Sequence, residues 1–361
     1  MDLPIRIQTE PGTERVVSVD GSWGAPGLHL SHWPGNATPR ELKHDLSTGI
    51  ALHFARLPAR DRERLARGCV ALANNHYDSD GACAMFAAHR PEAALPLASE
   101  LLAIAAAGDF FQVPSEQAFA ACATLEALAE PGRSPIASAL AGTTGRERYE
   151  LATRAAVQRL PAIARGDLEE YRPLWEADLE ALRADRADLA RAALDDLVHL
   201  DLRIWVAAPG ATSTRRGAPA RFDPGRHALF ADGRADRVLA VGPARAGTTY
   251  RLVLGTLSWF DLAAPRTQPR PDLAALARRL DELEGTRRED EAAWRCQSAS
   301  GASPELWFGK AEMESFSEHA GEALCPSALD ATRVKSALID ALRAAWAFPE
   351  DEAEELPFSL R

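Results

Sequence analysis

The sequence has few of the features that mark membrane, secreted and nucleic-acid-coating proteins. Nowhere in its 361 residues does an apolar run approach the roughly 20 residues that a membrane-spanning helix needs. Its first residues, Met-Asp-Leu-Pro-Ile-Arg, lack the basic-then-apolar layout of a secretion signal. The net charge of −11 argues against a protein that coats nucleic acid through a basic surface. We therefore expect a cytoplasmic protein that binds neither membranes nor extended nucleic acid.

The sequence also lacks several motifs that would assign a function directly. Its cysteines are few and widely spaced, at Cys69, Cys83, Cys122, Cys296 and Cys325. Since no Cys-x-x-Cys pair occurs, they are interpreted as buried thiols in a reducing compartment rather than as zinc ligands. The phosphate-binding Gly-x-x-x-x-Gly-Lys-[Ser/Thr], the dinucleotide-binding Gly-x-Gly-x-x-Gly after a strand and the Gly-x-Ser-x-Gly elbow are missing. Kinase, dinucleotide oxidoreductase and serine hydrolase functions therefore have no support.

What is present is the composition of a globular protein, 46% hydrophobic and 26% charged, with enough length for two domains. Residues 68–74 form a short apolar run that ends in polar residues, which is typical of a strand covered on both faces of a parallel sheet. Helical spacing is found at 40–57, 81–89, 95–107, 115–129 and 146–163. The sequence thus predicts an α/β fold with a parallel-sheet domain over 1–165, whose first 40 residues form an irregular arm or short strands.

The second half of the chain has a different pattern. Residues 168–197 mix acidic and basic side chains at helical spacing, which predicts a connecting helix or helical pair. Strands are predicted at 200–207, 237–241 and 249–257, a loop at 212–224, and helices at 271–283 and 333–346. We expect a helical connector over 166–205, a smaller C-terminal α/β domain over 206–361, and an active cleft between the two domains.

One segment, directly after the predicted strand, is dense in metal-ligand side chains: His76-x-Asp78-x-Asp80-Gly81. Ligands of open α/β sheets bind outside the carboxyl ends of the strands, where this segment would lie. An imidazole with carboxylates suits Mn²⁺, Fe²⁺ or Zn²⁺, whereas sites made of oxygen alone suit Mg²⁺ or Ca²⁺. The alternative is structural, because aspartate is a favoured N-cap: Asp78 and Asp80 would cap the next helix while His76 packs at the strand end. The density of ligands favours the metal site.

This strand–His-x-Asp-x-Asp-Gly–helix arrangement resembles the first motif of the DHH phosphoesterase superfamily. That superfamily includes single-strand exonucleases, cyclic-dinucleotide phosphodiesterases and family II pyrophosphatases, in which the motif supplies ligands to a two-metal Mn²⁺ or Mg²⁺ centre. The resemblance implies that His76, Asp78 and Asp80 are metal ligands here, with Asp109 as the counterpart of the superfamily's second ligand motif. The chain also resembles an uncharacterised bacterial family that shares an Asn-His-x-Asp-x-Asp-Gly segment.

The chain departs from the DHH pattern because it has neither an Asp-His-His triplet nor a Gly-Gly-Gly-His loop. A second metal ion therefore has no obvious ligands. The sequence predicts a divalent-metal-dependent hydrolase, a phosphoesterase for a small phosphate ester or nucleotide, with Asp80 and His76 as catalytic residues. Mn²⁺ or Mg²⁺ is favoured, and Fe²⁺ and Zn²⁺ are further candidates. Two alternatives stay open: a single-metal enzyme for a non-phosphate substrate, and a non-catalytic binding protein on a decayed phosphoesterase scaffold.

A small anionic substrate would need positively charged groups to position it. Arg226 and His227 follow a loop rich in Gly, Arg and Pro, and arginine binds phosphate through two hydrogen bonds. We expect both residues to bind substrate from the C-terminal domain, with His227 facing His76 across the cleft. The alternative is that they are surface residues at the start of a helix. The sequence leaves a homodimer open.

Overall fold

The structure is a computed structural model that describes residues 3–218, 221–264, 268–285 and 292–346. The chain divides into two compact units. The first comprises Met1–Arg186, Gly225–Arg234 and Trp259–Arg266, and the second comprises Ala187–Pro224, Ala235–Ser258 and Thr267–Arg361. Two short segments from the second half of the chain thus belong to the first unit. The expected boundaries at residues 165 and 205 place both segments in the C-terminal domain. None of the described helices combines the length and the apolar character that crossing a membrane requires.

A small parallel sheet lies in the first unit. Its strands are β1 (Ile5–Ile7), β2 (Val16–Val19), β3 (Gly27–Leu30) and β4 (Leu72–Asn74). They lie in the order β1-β4-β2-β3, and every neighbouring pair is parallel. Strand β4 is fully buried between β1 and β2, which confirms an interior parallel strand in the predicted segment, although the strand covers only residues 72–74 of the predicted 68–74. The expected α/β class with a parallel-sheet N-terminal region is confirmed with it.

Helices make up most of the first unit. They are α1 (Ser47–Arg56), α2 (Ala59–Leu65), α3 (Ser79–His89), α4 (Pro91–Ala94), α5 (Ala98–Asp109), α6 (Glu116–Ala127), α7 (Ala137–Leu140), α8 (Gly145–Arg165), α9 (Arg172–Leu189) and α10 (Arg226–Phe230). Helix α3 is buried from Ser79 to Ala88 and contacts β2, β4, α1, α5 and α8. Because α3 is apolar all round, it forms the centre of the unit's core and fixes the position of the polar residues at its start.

The helix predicted over 40–57 begins later than expected, at Ser47. Residues 40–42 form a single 3₁₀ turn, and Lys43 has an extended backbone. No side chain at the N-cap, Leu46, satisfies the first N–H groups of α1. A carboxylate from α3 satisfies them instead, so a tertiary contact sets where α1 starts.

The second unit contains a six-stranded sheet with the order β5-β6-β7-β8-β10-β9. Its elements are β5 (Ala193–Leu197), β6 (Leu202–Val206), β7 (Arg237–Ala244), β8 (Gly247–Leu254), α11 (Leu273–Glu284), β9 (Ala293–Cys296), β10 (Glu305–Gly309) and α12 (Ala331–Ala344). Only the β6–β7 pair is parallel among these described strands. The sheet and the apolar faces of α11 and α12 enclose a separate core.

The helical interpretation of residues 168–197 is wrong at its C-terminal end. Helix α9 stops at Leu189, and residues 193–197 form strand β5. The mixed charges of this segment fit a helix surface, but β5 pairs antiparallel with β6 along its whole length. The hydrogen bonds of this pairing with the next strand override the helical spacing.

Candidate metal centre

The candidate site lies at the carboxyl ends of three neighbouring parallel strands. Asp20 follows β2, His32 follows β3 after one intervening residue, and the His76–Asp80 segment follows β4. Asp109, the last residue of α5, completes the set. This edge of an open parallel sheet is where ligand-binding residues from separate strands meet.

The side chains form two groups of potential metal ligands that share one residue. Each group offers one donor atom per residue, and within each group these atoms lie within 4.8 Å of one another. The inner group is Asp20, His32, Asp80 and Asp109, and the outer group is Asp20, His76 and Asp78. Because Asp20 belongs to both groups, its two carboxylate oxygens can serve neighbouring ions. This buried cluster of aspartate and histidine side chains can hold a metal ion.

The inner group surrounds one imidazole nitrogen with carboxylates. His32 Nε2 lies 3.1 Å from Asp109 Oδ2, 3.6 Å from Asp20 Oδ1 and 3.7 Å from Asp80 Oδ2. The other ring nitrogen, Nδ1, lies 2.6 Å from the carbonyl oxygen of Asp45. Since a carbonyl only accepts, Nδ1 donates its proton there, which leaves Nε2 as the ring nitrogen that faces the three carboxylates. This is the tautomer that a metal-binding histidine needs.

Two buried polar atoms of the inner group test whether a cation fits. Asp20 Oδ1 and His32 Nε2 have no hydrogen-bond partner among the described residues. The side chains of both residues are at most 1% exposed. Buried polar atoms are nearly always satisfied, and these two lie 3.6 Å apart. A divalent cation between them would satisfy both, so the residues present fit a metal ion.

The outer group lies nearer to solvent. His76 Nε2 lies 2.6 Å from Asp78 Oδ2 and 3.0 Å from Asp20 Oδ2, while Nδ1 lies 2.7 Å from Asn75 Oδ1. The side chains of His76 and Asp78 are 23% and 29% exposed, against 1% for Asp20. A small molecule from solvent would therefore reach the centre from the side of His76 and Asp78.

Asp78 fills the structural role and also belongs to a ligand group. As the N-cap of α3, its Oδ1 accepts a 2.7 Å hydrogen bond from the backbone N–H of Gly81. Its other oxygen, Oδ2, faces His76. The capping and metal interpretations of this residue therefore do not exclude each other.

Asp80 is held by α1, the helix that begins later in the structure than the sequence predicts. Its Oδ2 accepts a hydrogen bond from the N–H of Ser47, and its Oδ1 accepts one from the N–H of Thr48, both at 2.8 Å. These are the first residues of α1, so the positive end of the helix dipole faces the carboxylate. The side chain of Asp80 is fully buried. Helix α1 thus orients one ligand of the inner group.

Crowding of the carboxylates perturbs their protonation. Burial and the charge of Asp20 raise the pKa of Asp80 to about 6. Burial and the charges of Asp80 and Asp78 raise the pKa of Asp109 well above its ordinary value. Although burial opposes it, the neighbouring His76 lowers the pKa of Asp20. Carboxylates this close repel each other and retain protons, which a divalent cation would displace.

Close backbone packing holds the shared ligand. Asp20 has a left-handed backbone with φ +67, an uncommon conformation for a residue with a side chain. Asn74 Oδ1, at the end of β4, accepts a 3.0 Å hydrogen bond from the N–H of Gly21. A Cβ atom on Gly81 would lie 2.6 Å from Asn74 Nδ2 and 2.9 Å from Asp20 Oδ2. Glycine therefore allows α3 to start directly against Asp20.

The structure brings all four sequence-predicted metal ligands into the cluster, but not around a single point. Asp80 and Asp109 belong to the inner group, whereas His76 and Asp78 belong to the outer one. The sequence indicates no ligands for a second metal ion. The structure adds Asp20 and His32 to the site, so candidate ligands for a second ion are present. The sequence analysis predicts neither residue.

A signal for the two missed residues is present in the sequence. Val-Val-Ser-Val ends in Asp20-Gly21, and Leu-His-Leu is followed by Ser31-His32, so each residue follows a short apolar run. The same strand-end argument that identified His76 would have identified them.

Arg226 and His227 lie in α10, within the first unit rather than in the second. Arg226 is fully buried, and its guanidinium lies 5.3 Å from the ring centre of Phe111. His227 Nε2 lies 2.9 Å from the carbonyl oxygen of Ala107, and its ring packs edge-on against Phe119. Substrate binding by the two residues stays a prediction, and the complete burial of Arg226 does not favour it.

Comparison with known proteins gives a family but no characterised relative. No curated protein and no solved structure shows significant similarity to this chain. One family model, described as a family of unknown function (DUF6687), matches residues 6–353, which is nearly the whole sequence. The match contains the described helices, the ligand residues and every described strand except the first residue of β1, and the chain belongs to the DUF6687 family.

Proposed function

We propose that this protein is a divalent-metal-dependent hydrolase with a dinuclear centre, and that it acts on a small phosphate ester. The observation that carries the proposal is the position of Asp20 between two ligand groups. A carboxylate shared by two sets of imidazole and carboxylate ligands is suited to two adjacent ions. Such pairs of ions are used for displacement at phosphorus.

The charges of the two groups support two ions rather than one. Four carboxylates would balance the charge of two divalent cations, with the two imidazoles bound in the neutral form. A single ion would leave the carboxylates in excess in a largely buried site, at a high cost. This favours the dinuclear centre over the single-metal alternative for a non-phosphate substrate.

The chemical nature of the ligands indicates which ions fit. Imidazole nitrogen together with carboxylate oxygen suits Mn²⁺, Fe²⁺ or Zn²⁺, whereas Mg²⁺ prefers oxygen alone. Each proposed centre contains one histidine, His32 in the inner group and His76 in the outer group. Together with the resemblance to DHH phosphoesterases, this leads us to propose Mn²⁺ as the preferred ion, with Fe²⁺ and Zn²⁺ as further candidates and Mg²⁺ as a weaker one.

The protein's own residues hold the ligands in fixed orientations. The Asp45 carbonyl orients His32, the side-chain amide of Asn75 orients His76, and the first turn of α1 orients Asp80. Partners of this kind fix the tautomer and the ring or carboxylate plane, and their loss weakens metal binding in other proteins. A decayed binding scaffold would have no need to keep them, which weighs against the non-catalytic alternative.

When bound, two divalent ions would supply an activated water molecule and offset the negative charge on phosphate oxygens. The protein's own residues would position the ions and control which side of the centre water reaches. Burial of Asp20, His32 and Asp80 excludes bulk water from one side of the centre, while His76 and Asp78 leave the other side accessible. The resemblance of the His76–Gly81 segment to DHH phosphoesterases supports the same reaction, and Asp20 and His32 provide ligands that the missing Asp-His-His triplet left unassigned.

A metal-dependent hydrolysis assay tests the proposal. Chelator-treated protein would be reloaded with Mn²⁺ or Mg²⁺ and given generic phosphomonoesters and phosphodiesters. We expect turnover that requires the ion and is lost in Asp80→Asn, whereas Asp167→Asn, an exposed aspartate outside the site, keeps it. Circular dichroism would establish that Asp80→Asn is folded, and Asp109→Asn serves as a second ligand variant. Metal-loaded, folded protein without turnover on any ester would contradict the proposal.

A further inference from the structure

A pair of tryptophans stands beside the accessible side of the candidate metal centre. The ring centre of Trp33 lies 4.8 Å from that of His76, the half-buried ligand of the outer group. Trp259 packs edge-on against Trp33, with ring centres 5.1 Å apart. We call Trp33 and Trp259 the indole pair. The two residues are distant in sequence, and the segment 259–264 brings the second one to the first unit.

Both members of the indole pair are only partly buried. Neither belongs to the main core of the first unit, which is built from the sheet and its helices. Large aromatic side chains that remain partly exposed next to a site commonly contact a ligand, because they offer a rigid apolar surface at small entropic cost. The partly exposed ligand His76 lies next to this surface.

Hydrogen bonds hold the backbone of the indole pair in place. The backbone carbonyl of Trp33 accepts a 2.8 Å hydrogen bond from Asn36 Nδ2, which also donates to Asp261 Oδ2 at 2.9 Å. The N–H of Asp261 donates to the carbonyl of His32 at 2.7 Å. The two tryptophan-bearing segments are thus tied to each other and to a metal ligand. Such preorganisation lowers the entropy lost when a ring binds.

The residue between these two contacts also supports the centre. Phe260 stacks on the ring of His32 with centres 3.7 Å apart and an interplanar angle of 20°. Trp259 and Phe260 are neighbours in the chain, and their rings lie 5.0 Å apart. The same short segment therefore contacts a ligand of the inner group through Phe260 and extends the surface beside the outer group through Trp259.

We infer that the indole pair is a stacking subsite for a planar ring carried by the substrate. This inference rests on the proposed function, because it assigns the group attached to the phosphate that the metal centre would bind. The substrate class is then a phosphate ester whose alcohol bears an aromatic ring, such as a nucleoside, rather than an aliphatic or sugar phosphate. Stacking on an aromatic side chain is tolerant of ring identity, so the subsite selects for a ring and not for one base.

Binding of two matched phosphonates tests the inference without turnover. The probes are the phosphonate analogues of adenosine 5′-monophosphate and of ribose 5-phosphate, in which a methylene group replaces the ester oxygen. Both would be titrated into Mn²⁺-loaded protein by calorimetry. Because the probes differ only in the base, we expect the adenosine compound to bind roughly ten- to hundredfold more tightly.

Tryptophan variants test whether the indole pair causes the difference in affinity between the two probes. Trp33→Ala should reduce the affinity ratio of the two probes to near one while the affinity for the ribose compound is unchanged. Trp33→Phe should retain most of the ratio. Trp346→Ala, which changes an exposed tryptophan of the second unit, should behave as the unaltered protein.

Two results would overturn the inference. One is equal affinity of the two probes for the unaltered protein, and the other is a Trp33→Ala variant that loses affinity for both probes equally. Failure of the proposed function looks different, since it would appear as phosphonate binding that does not depend on Mn²⁺ or as loaded protein that hydrolyses no ester. Protein that binds neither probe would contradict both.

Discussion

His76 Nε2 lies 3.0 Å from Asp20 Oδ2, although the two residues follow different strands and are far apart in the sequence. The contact joins His76, which belongs to a recognisable sequence motif, to Asp20, which no motif marks. Through Asp20, the outer group of ligands becomes continuous with the inner one. The proposed dinuclear centre depends on that shared carboxylate.

The two ligand groups should be separable by mutation. His76→Ala removes a ligand of the outer group only, and Asp109→Asn removes a ligand of the inner group only. Each variant should therefore hold one Mn²⁺ fewer than the unaltered protein, as measured by native mass spectrometry. A variant that retains the full metal content would show that the changed residue is not a ligand.

Metal binding should stabilise the protein more strongly as pH rises. The pKa of Asp80 is raised to about 6, so the folded apoprotein holds a proton that the unfolded chain releases at lower pH. Its contribution to stability is complete below the ordinary carboxyl pKa and is lost as pH rises through about 6. A divalent ion replaces that proton. We expect the Tm difference between Mn²⁺-loaded and chelator-treated protein to be small at about pH 5 and large at about pH 7.5.

That pH comparison has an internal control. Burial also raises the pKa of Asp236, in the second unit, to about 6. Asp236 affects loaded and chelator-treated protein equally, so it cancels from the Tm difference at each pH. A metal-induced Tm difference that is the same at both pH values would mean that ion binding displaces no protons.

Close packing around Asp20 makes Gly81 sensitive to substitution. In Gly81→Ala the new Cβ would lie 2.6 Å from Asn74 Nδ2 and 2.9 Å from Asp20 Oδ2, so α3 or these two side chains must shift. We expect a loss of about 1–3 kcal/mol in the free energy of unfolding and weaker Mn²⁺ binding. Gly132→Ala is the matched control, since a Cβ there meets no atom within 4 Å. Urea titration and metal titration measure the two effects, and equal behaviour of both variants would contradict the proposed close approach.

The second unit contains a buried ion pair between Arg251 and Glu305. Arg251 and Glu305 are each at most 1% exposed, and Arg251 Nε lies 2.6 Å from Glu305 Oε2. Glu305→Ala leaves the arginine charge buried without this carboxylate and should cost about 3–5 kcal/mol in the free energy of unfolding. Glu282→Ala, in the exposed pair with Arg279, should cost at most about 1 kcal/mol. Equal costs in a denaturant titration would show that burial does not set the strength of these pairs.

Local signals predicted many elements because the residues that define them are adjacent in sequence. Helix α8 was predicted over 146–163 and spans Gly145–Arg165. Thr144 forms a capping box at its start, and Gly166 ends it in a left-handed conformation with φ +93. The strand at β4 was equally clear because its run is apolar throughout.

Contacts between distant segments account for what the sequence did not reveal. The start of α1 depends on Asp80, and Asp20 becomes a potential ligand because the fold places it beside both His32 and His76. The indole pair also depends on a contact between distant segments, since Trp33 and Trp259 meet only in the folded protein. Single-segment patterns contain no information on which strand ends become neighbours.

Metal content measured on the purified protein tests the central claim most directly. Protein loaded with Mn²⁺, desalted and analysed by inductively coupled plasma mass spectrometry should retain two ions per chain. Asp20→Asn should lose both because Asp20 belongs to both ligand groups, whereas Asp167→Asn should retain both. Unaltered protein that retains no ion, or an Asp20→Asn variant that keeps two, would contradict the dinuclear centre and the function built on it.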